Sequence, residues 1–153
     1  MTDQKQIAYL ERVGRMWEEV GLTFIGGKIL GYLLICGKPS VSFQELVDEL
    51  RVSKASVSNN IKALTGIRFI KMTKPEGSRK SYYKPNNINM ADLMQERTAL
   101  FDLYADVMDE GLSHLSNQDS DAAKFMTETR DFYRWMKAKM PQLLEEYRSS
   151  KNQ

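Results

Sequence analysis

Apolar positions recur at intervals of three and four along most of this chain. Strand-like composition interrupts them once, near the middle. From Gln4 onward, Ile7, Leu10, Gly14, Trp17 and Gly21 share one face, with Val13 and Val20 beside them and charges opposite. That spacing predicts a helix over Gln4–Val20. Phe24–Cys36 predicts a second helix, more apolar and therefore more buried. Gly37 should stop it as a left-handed cap, and Pro39 follows where a helix cannot continue. Ser42–Leu50 predicts a short helix with strong start signals. Ser42 and Glu45 form an S-x-x-E capping box, and Val41 and Leu46 have the spacing of a hydrophobic staple. Leu46, Val47 and Leu50 should face inward. Arg51 and Val52 make the turn. Ser53 caps the next helix, and Val52 with Val57 repeats the staple. Val57, Ile61 and Leu64 supply its buried stripe, and Gly66 ends it.

The period then changes. Ile67–Thr73 has the β-branched and aromatic content of a strand, and Lys80–Lys84 reads as its return. Pro75, Gly77 and Ser78 between them supply turn chemistry. Asn89 should cap one long helix running to about Leu115, with Leu93, Leu100, Tyr104, Val107 and Gly111 on a common face. Asn117–Ser120 breaks the chain. A last helix carries Phe125, Phe132, Met136, Met140, Leu143 and Tyr147 at helical spacing. Pro141 should kink or restart it. The expected fold is mainly α with a small β-hairpin wing: a winged helix-turn-helix plus N- and C-terminal dimerisation helices. The expected organisation is 1–22 (N-terminal helix), 23–86 (winged helix-turn-helix) and 87–153 (C-terminal helices).

Charge sharpens this outline. Thr23–Pro85 holds 11 Lys/Arg against 4 Asp/Glu, a net +7, while the remainder of the chain is −5. A basic centre between acidic flanks places the polyanion-binding surface in the middle segment. With Val57, Ile61 and Leu64 turned inward, 100° per residue puts Ala55, Asn59 and Lys62 on the outer face, flanked by Ser56 and Ser58. Ser53 and Lys54 stand at the helix start, where free backbone N–H groups favour phosphate. These are the residues expected to meet double-stranded DNA. Asn59 is suited to bidentate adenine reading and Lys62 to phosphate contact. In the wing, Ser78, Arg79 and Lys80 occupy the hairpin tip, and an arginine there can enter a minor groove. Lys71, Lys74 and Lys84 would lie near the DNA backbone.

Residues Phe24–Pro85 resemble the winged-helix domain of the MarR-type transcriptional regulators. The segments that carry the likeness are GGKILGYLLICGKPSVSFQELVDELRVSKASVSNNIKAL and GSRKSYYKP. The glycine-containing helix before the helix-turn-helix is similar to the GbsR-like branch. The resemblance implies a homodimer on a pseudo-palindromic operator, usually a repressor released by a ligand. GbsR-like members include sensors of choline-type compounds. The numerous aromatic residues outside the DNA module leave open a cation–π cage for such an effector. The competing reading is a winged helix that docks a protein partner instead of DNA.

Other classes find little footing. No apolar run approaches the ~20 residues of a membrane span, and MTDQKQ does not read as a signal peptide. These features suggest a cytoplasmic protein. The lone Cys36 excludes an internal disulfide, and a buried inert thiol is favoured over a redox switch. His114 has no partners at metal-ligand spacing. No phosphate-binding glycine loop or nucleophile elbow occurs. Neither an enzyme nor a cofactor is expected.

Overall fold

The structure, a computed structural model, describes residues 3–152. The chain forms two compact units, Met1–Asn87 and Ile88–Gln153. The first contains α1 (Gln4–Glu19), α2 (Phe24–Ile35), β1 (Val41–Ser42), α3 (Phe43–Leu50), α4 (Lys54–Gly66), β2 (Ile70–Thr73) and β3 (Tyr82–Pro85). The second contains α5 (Met90–Thr98), α6 (Phe101–Ser113) and α7 (Asp121–Ser150). No described helix is long and apolar enough to cross a membrane.

Capping chemistry fixes the helix starts. The side chains of Asp3, Thr23, Ser42, Ser53, Asn89 and Ser120 each accept a backbone N–H from the first turn of their helix. At Asp3 the box is reciprocal, because the Gln6 side chain also accepts the Asp3 amide. At Ser42 only half the expected box forms. Ser42 Oγ accepts the Glu45 amide at 3.2 Å. The Glu45 carboxylate turns away, accepting from the Tyr32 hydroxyl at 2.8 Å and from Lys38 Nζ at 2.6 Å. A buried hydroxyl and an ammonium group outcompete one backbone amide for that carboxylate.

This cluster ties α2 to α3 and has a pH signature. Burial alone would raise the Glu45 pKa. The bonds from Lys38 and Tyr32 outweigh burial and hold the carboxyl below its ordinary range. The folded protein therefore binds this proton less readily than the unfolded chain. The stabilisation is complete above the ordinary glutamate pKa of about 4.3 and fades as pH falls through the depressed folded value. Glu45→Gln should lower stability by about 1 kcal/mol at neutral pH, and the deficit should shrink under acid conditions. Urea melts across pH would show this, and a deficit constant with pH would count against the linkage.

Leu10, Trp17, Ile29, Val41, Leu46, Val57, Leu64 and Ile70 build one core in the first unit, each at most 6% exposed. α1 and α2 meet through small residues. A Cβ at Gly27 would lie 2.7 Å from the Val13 carbonyl oxygen and 2.8 Å from the Gly14 Cα, so the backbones themselves touch. Trp17 then reaches the Phe69 ring edge-on, with centroids 5.8 Å apart.

The strands differ from the sequence outline. The hairpin is the larger part of a three-stranded sheet of order β1-β3-β2, with Val41 paired to Tyr83 and Met72 to Tyr83 on the other side. β2 begins at Ile70, not Ile67. Arg68 adopts a left-handed conformation (φ 66°) and makes a turn first. β3 begins at Tyr82, not Lys80.

The expected helix from Asn89 to Leu115 is two helices. The Thr98 hydroxyl donates to the Met94 carbonyl, and the Leu100 amide tightens onto the Arg97 carbonyl three residues back. The turn closes without glycine or proline. α7 in contrast runs through Pro141 with no new start. The second unit has a small core of Ala91, Met140 and Leu144, with Met94, Phe101 and Met136 packed against it. Arg130 and Arg134 of α7 pair with Asp109 of α6, and Lys137 pairs with Asp102. Leu103, Val107, Phe125, Phe132, Trp135 and Leu143 remain about half exposed or more.

Candidate nucleic-acid interface

α3 and α4 are joined by a tight turn at Arg51, which takes a left-handed conformation (φ 53°). Val47, Leu50 and Val52 pack inward around the turn. α4 therefore lies across the unit with Val57, Asn60, Ile61 and Leu64 buried. Its other face is open: Lys54, Ala55, Ser58, Asn59 and Lys62 are exposed, and Ser56 is half-buried. Ser53 is exposed too, but its hydroxyl already accepts the Ser56 amide at 3.1 Å. No acidic residue occurs between Ser53 and Gly66.

The wing follows directly. Gly77 has φ 77°, and the Ser78 amide donates to the Pro75 carbonyl at 3.0 Å, the geometry of a turn that needs glycine at its third position. Ser78 Oγ accepts the Lys80 amide at 3.1 Å and stiffens the loop. Arg79 and Lys80 project into solvent. Lys71 and Lys84 stand directly opposite each other on β2 and β3. Like charges in that register are destabilising unless an anion lies nearby.

Among the described residues, the cations on α4 and the wing lack carboxylate partners: Lys54, Lys62, Lys71, Lys74, Arg79, Lys80 and Lys84 form no ion pair. Lys28, Lys38, Arg130, Arg134, Lys137 and Arg148 each bind a carboxylate. The structure thus brings the expected residues of α4 onto one open face, while the Ser53 and Ser78 hydroxyls serve local backbone. The outline missed Asn60. It lies three residues after Val57 and four before Leu64, on the buried stripe, which was the available signal.

A chain with this order of capped helices and basic wing can be compared with proteins of known role. A crystal structure described as a transcriptional regulator superposes with TM-score 0.78 and 26% identity, covering 95% of this chain and 99% of that one. The Mycobacterium tuberculosis HTH-type transcriptional regulator MmpR5 is 27% identical over 139 residues, 91% of this chain and 84% of the relative. A family model described as MmpR5-like MarR family transcriptional regulator matches residues 89–150. The chain is similar to MarR-type regulators of transcription. The family model covers α5–α7, and the likeness to the M. tuberculosis protein covers nearly the whole chain. The related proteins are regulators of transcription and not enzymes. Among the described residues no group of three or more His, Cys, Asp or Glu could hold a metal ion. Phe101, Tyr104 and Tyr133 cluster with ring centroids 4.9–6.5 Å apart and planes tilted by 34–58°.

Proposed function

We propose that this chain is a MarR-type winged-helix regulator, a homodimer that reads a pseudo-palindromic operator and represses transcription until a small molecule releases it. The observation that carries the reading is the set of unpaired cations on α4 and the wing, including the opposed Lys71 and Lys84. Phosphate oxygens would satisfy them. α4 enters the major groove with Asn59 toward a base edge, while Ser53, Lys54, Ala55, Ser56, Ser58 and Lys62 line the approach. Ser78, Arg79 and Lys80 bring the wing to the minor groove. The half-buried apolar side chains of α6 and α7 support a two-fold partner, because the small core of the second unit leaves them uncovered. Two recognition helices would then lie about one turn of DNA apart, ~34 Å. Such a regulator works in the cytoplasm. An effector has a candidate seat in a cleft of about 450 Å³ floored by Met140, Pro141 and Leu144. The GbsR-like placement belongs to this reading and rests on the glycine-containing α2; the matched relatives carry the MmpR5 name instead.

The test is selection of bound fragments from the source genome, followed by titration of variants. Asn59→Ala should weaken binding by about 1–3 kcal/mol and relax preference at one base position. Arg79→Ala should weaken binding with less change in preference. If both variants bind the selected fragment like wild type, the assigned face is wrong. If no fragment is retained at low salt while a protein partner co-purifies, the winged helix is a docking module instead.

A further inference from the structure

Within α4, Asn60 is polar and buried, at 8% exposure. Both ends of its carboxamide are used. Nδ2 donates to the Ser56 carbonyl at 2.8 Å, and Oδ1 accepts from the Thr23 hydroxyl. Thr23 Oγ1 in turn caps α2 by accepting the Gly26 amide at 3.0 Å. One chain of hydrogen bonds therefore runs from the Gly26 amide through Thr23 and Asn60 to the backbone of Ser56. A Cβ at Gly26 would lie 2.8 Å from Thr23 Oγ1 and 2.9 Å from Asn60 Oδ1. Glycine is what lets α2 come this close to α4.

The apolar stripe of α4 seats the helix, but aliphatic contacts are not directional. Hydrogen bonds are directional. A rotation of about 20° moves a side-chain tip ~5–6 Å from the helix axis by about 2 Å. A bidentate base contact does not survive that displacement. We propose that Asn60 is a positioning residue for DNA reading: locked to Thr23 at the start of α2, it sets the rotation of α4 and so aims Ser56 and Asn59 at the groove. The inference rests on the reading of α4 as the recognition helix.

Thr23→Val, Thr23→Ser, Asn60→Leu and the double variant Thr23→Val/Asn60→Leu test it. Each is titrated with the selected operator fragment and with a scrambled duplex of equal length, and each is melted. Thr23→Val and Asn60→Leu should reduce operator affinity about tenfold, the scale of one good base contact, and leave the scrambled duplex unchanged. Thr23→Ser keeps the hydroxyl and should behave as wild type. The double variant should lose no more discrimination than either single, because one lock is broken once. It should also melt no lower than Thr23→Val: both lose the cap on the Gly26 amide, and the double variant no longer leaves the buried Asn60 oxygen without its donor. A merely structural role predicts the opposite: operator and scrambled affinities falling together with melting temperature. That result, or additive losses of discrimination, would overturn the inference. Amide resonances of Ser56–Asn60 in the free protein supply a readout without DNA. They should move in Thr23→Val and not in Thr23→Ser. Unmoved resonances alongside intact wild-type binding overturn the lock alone, whereas a wild type that binds no fragment overturns the functional reading beneath it.

Discussion

Raising salt from about 50 to about 200 mM should weaken operator binding by about 10³–10⁵-fold, the loss expected for ~6–10 phosphate contacts. The candidate contacts are Lys54, Lys62, Lys71, Lys74, Arg79, Lys80 and Lys84, counted on each of two protomers. About half of them touching phosphate is enough for that number. Each neutralised phosphate releases counterions, so log K should fall linearly with log salt. Lys74→Ala should reduce the slope by about 1 per contact removed. Lys124→Ala, on α7 and paired with Asp121, should leave the slope unchanged. A flat salt response would remove the electrostatic basis of the assignment. A slope equally sensitive to both substitutions would remove the distinction between the wing and α7.

Leu46→Ala should lower folding stability by about 2–5 kcal/mol. Leu46 has no exposed surface and sits among the six largest fully buried side chains. Its loss removes transfer energy and leaves a cavity that Val41, Val57 and Leu64 are too rigidly placed to fill. α3 has only eight residues, too few to persist without its packed face. The variant should therefore lose DNA binding at temperatures where wild type is still folded. Thermal melts with and without operator would separate lost fold from lost contact. A melting temperature within a degree or two of wild type would mean that α3 is held by its caps and not by its core residue.

The helix-turn-helix was legible because its signals are local. Ser42 and Ser53 cap, Val41 and Val52 staple, and Val57, Ile61 and Leu64 set the phase. Those determinants lie within a few residues of the elements they specify. The strand ends were less legible, because the turn before β2 is made by Arg68 in a left-handed conformation that usually calls for glycine or asparagine. The break at Ala99–Leu100 carried no signal at all: every residue there is compatible with helix, and the ending depends on a hydroxyl turned back on its own turn. The diverted Glu45 needed Tyr32, thirteen residues away in the chain. The candidate site divided the same way. The outer face of α4 followed from the inner one by geometry. The role of Asn60 depended on Thr23, 37 residues earlier, and no periodicity reports such a pairing.

Among the described residues, the strand order β1-β3-β2 leaves the outer side of β2 without a strand neighbour. Four residues of open edge, Ile70–Thr73, invite a second copy to add a strand and begin an aggregate. Lys71 lies within that edge, and Lys74 and Pro75 close it. Two such edges brought together would set lysine against lysine, and proline would deny the ladder its next donor. The charges proposed to meet phosphate would also keep the wing from self-association. Neutralising Lys71 and Lys74 together would therefore trade salt-dependent DNA binding for edge-to-edge clustering of the protein itself.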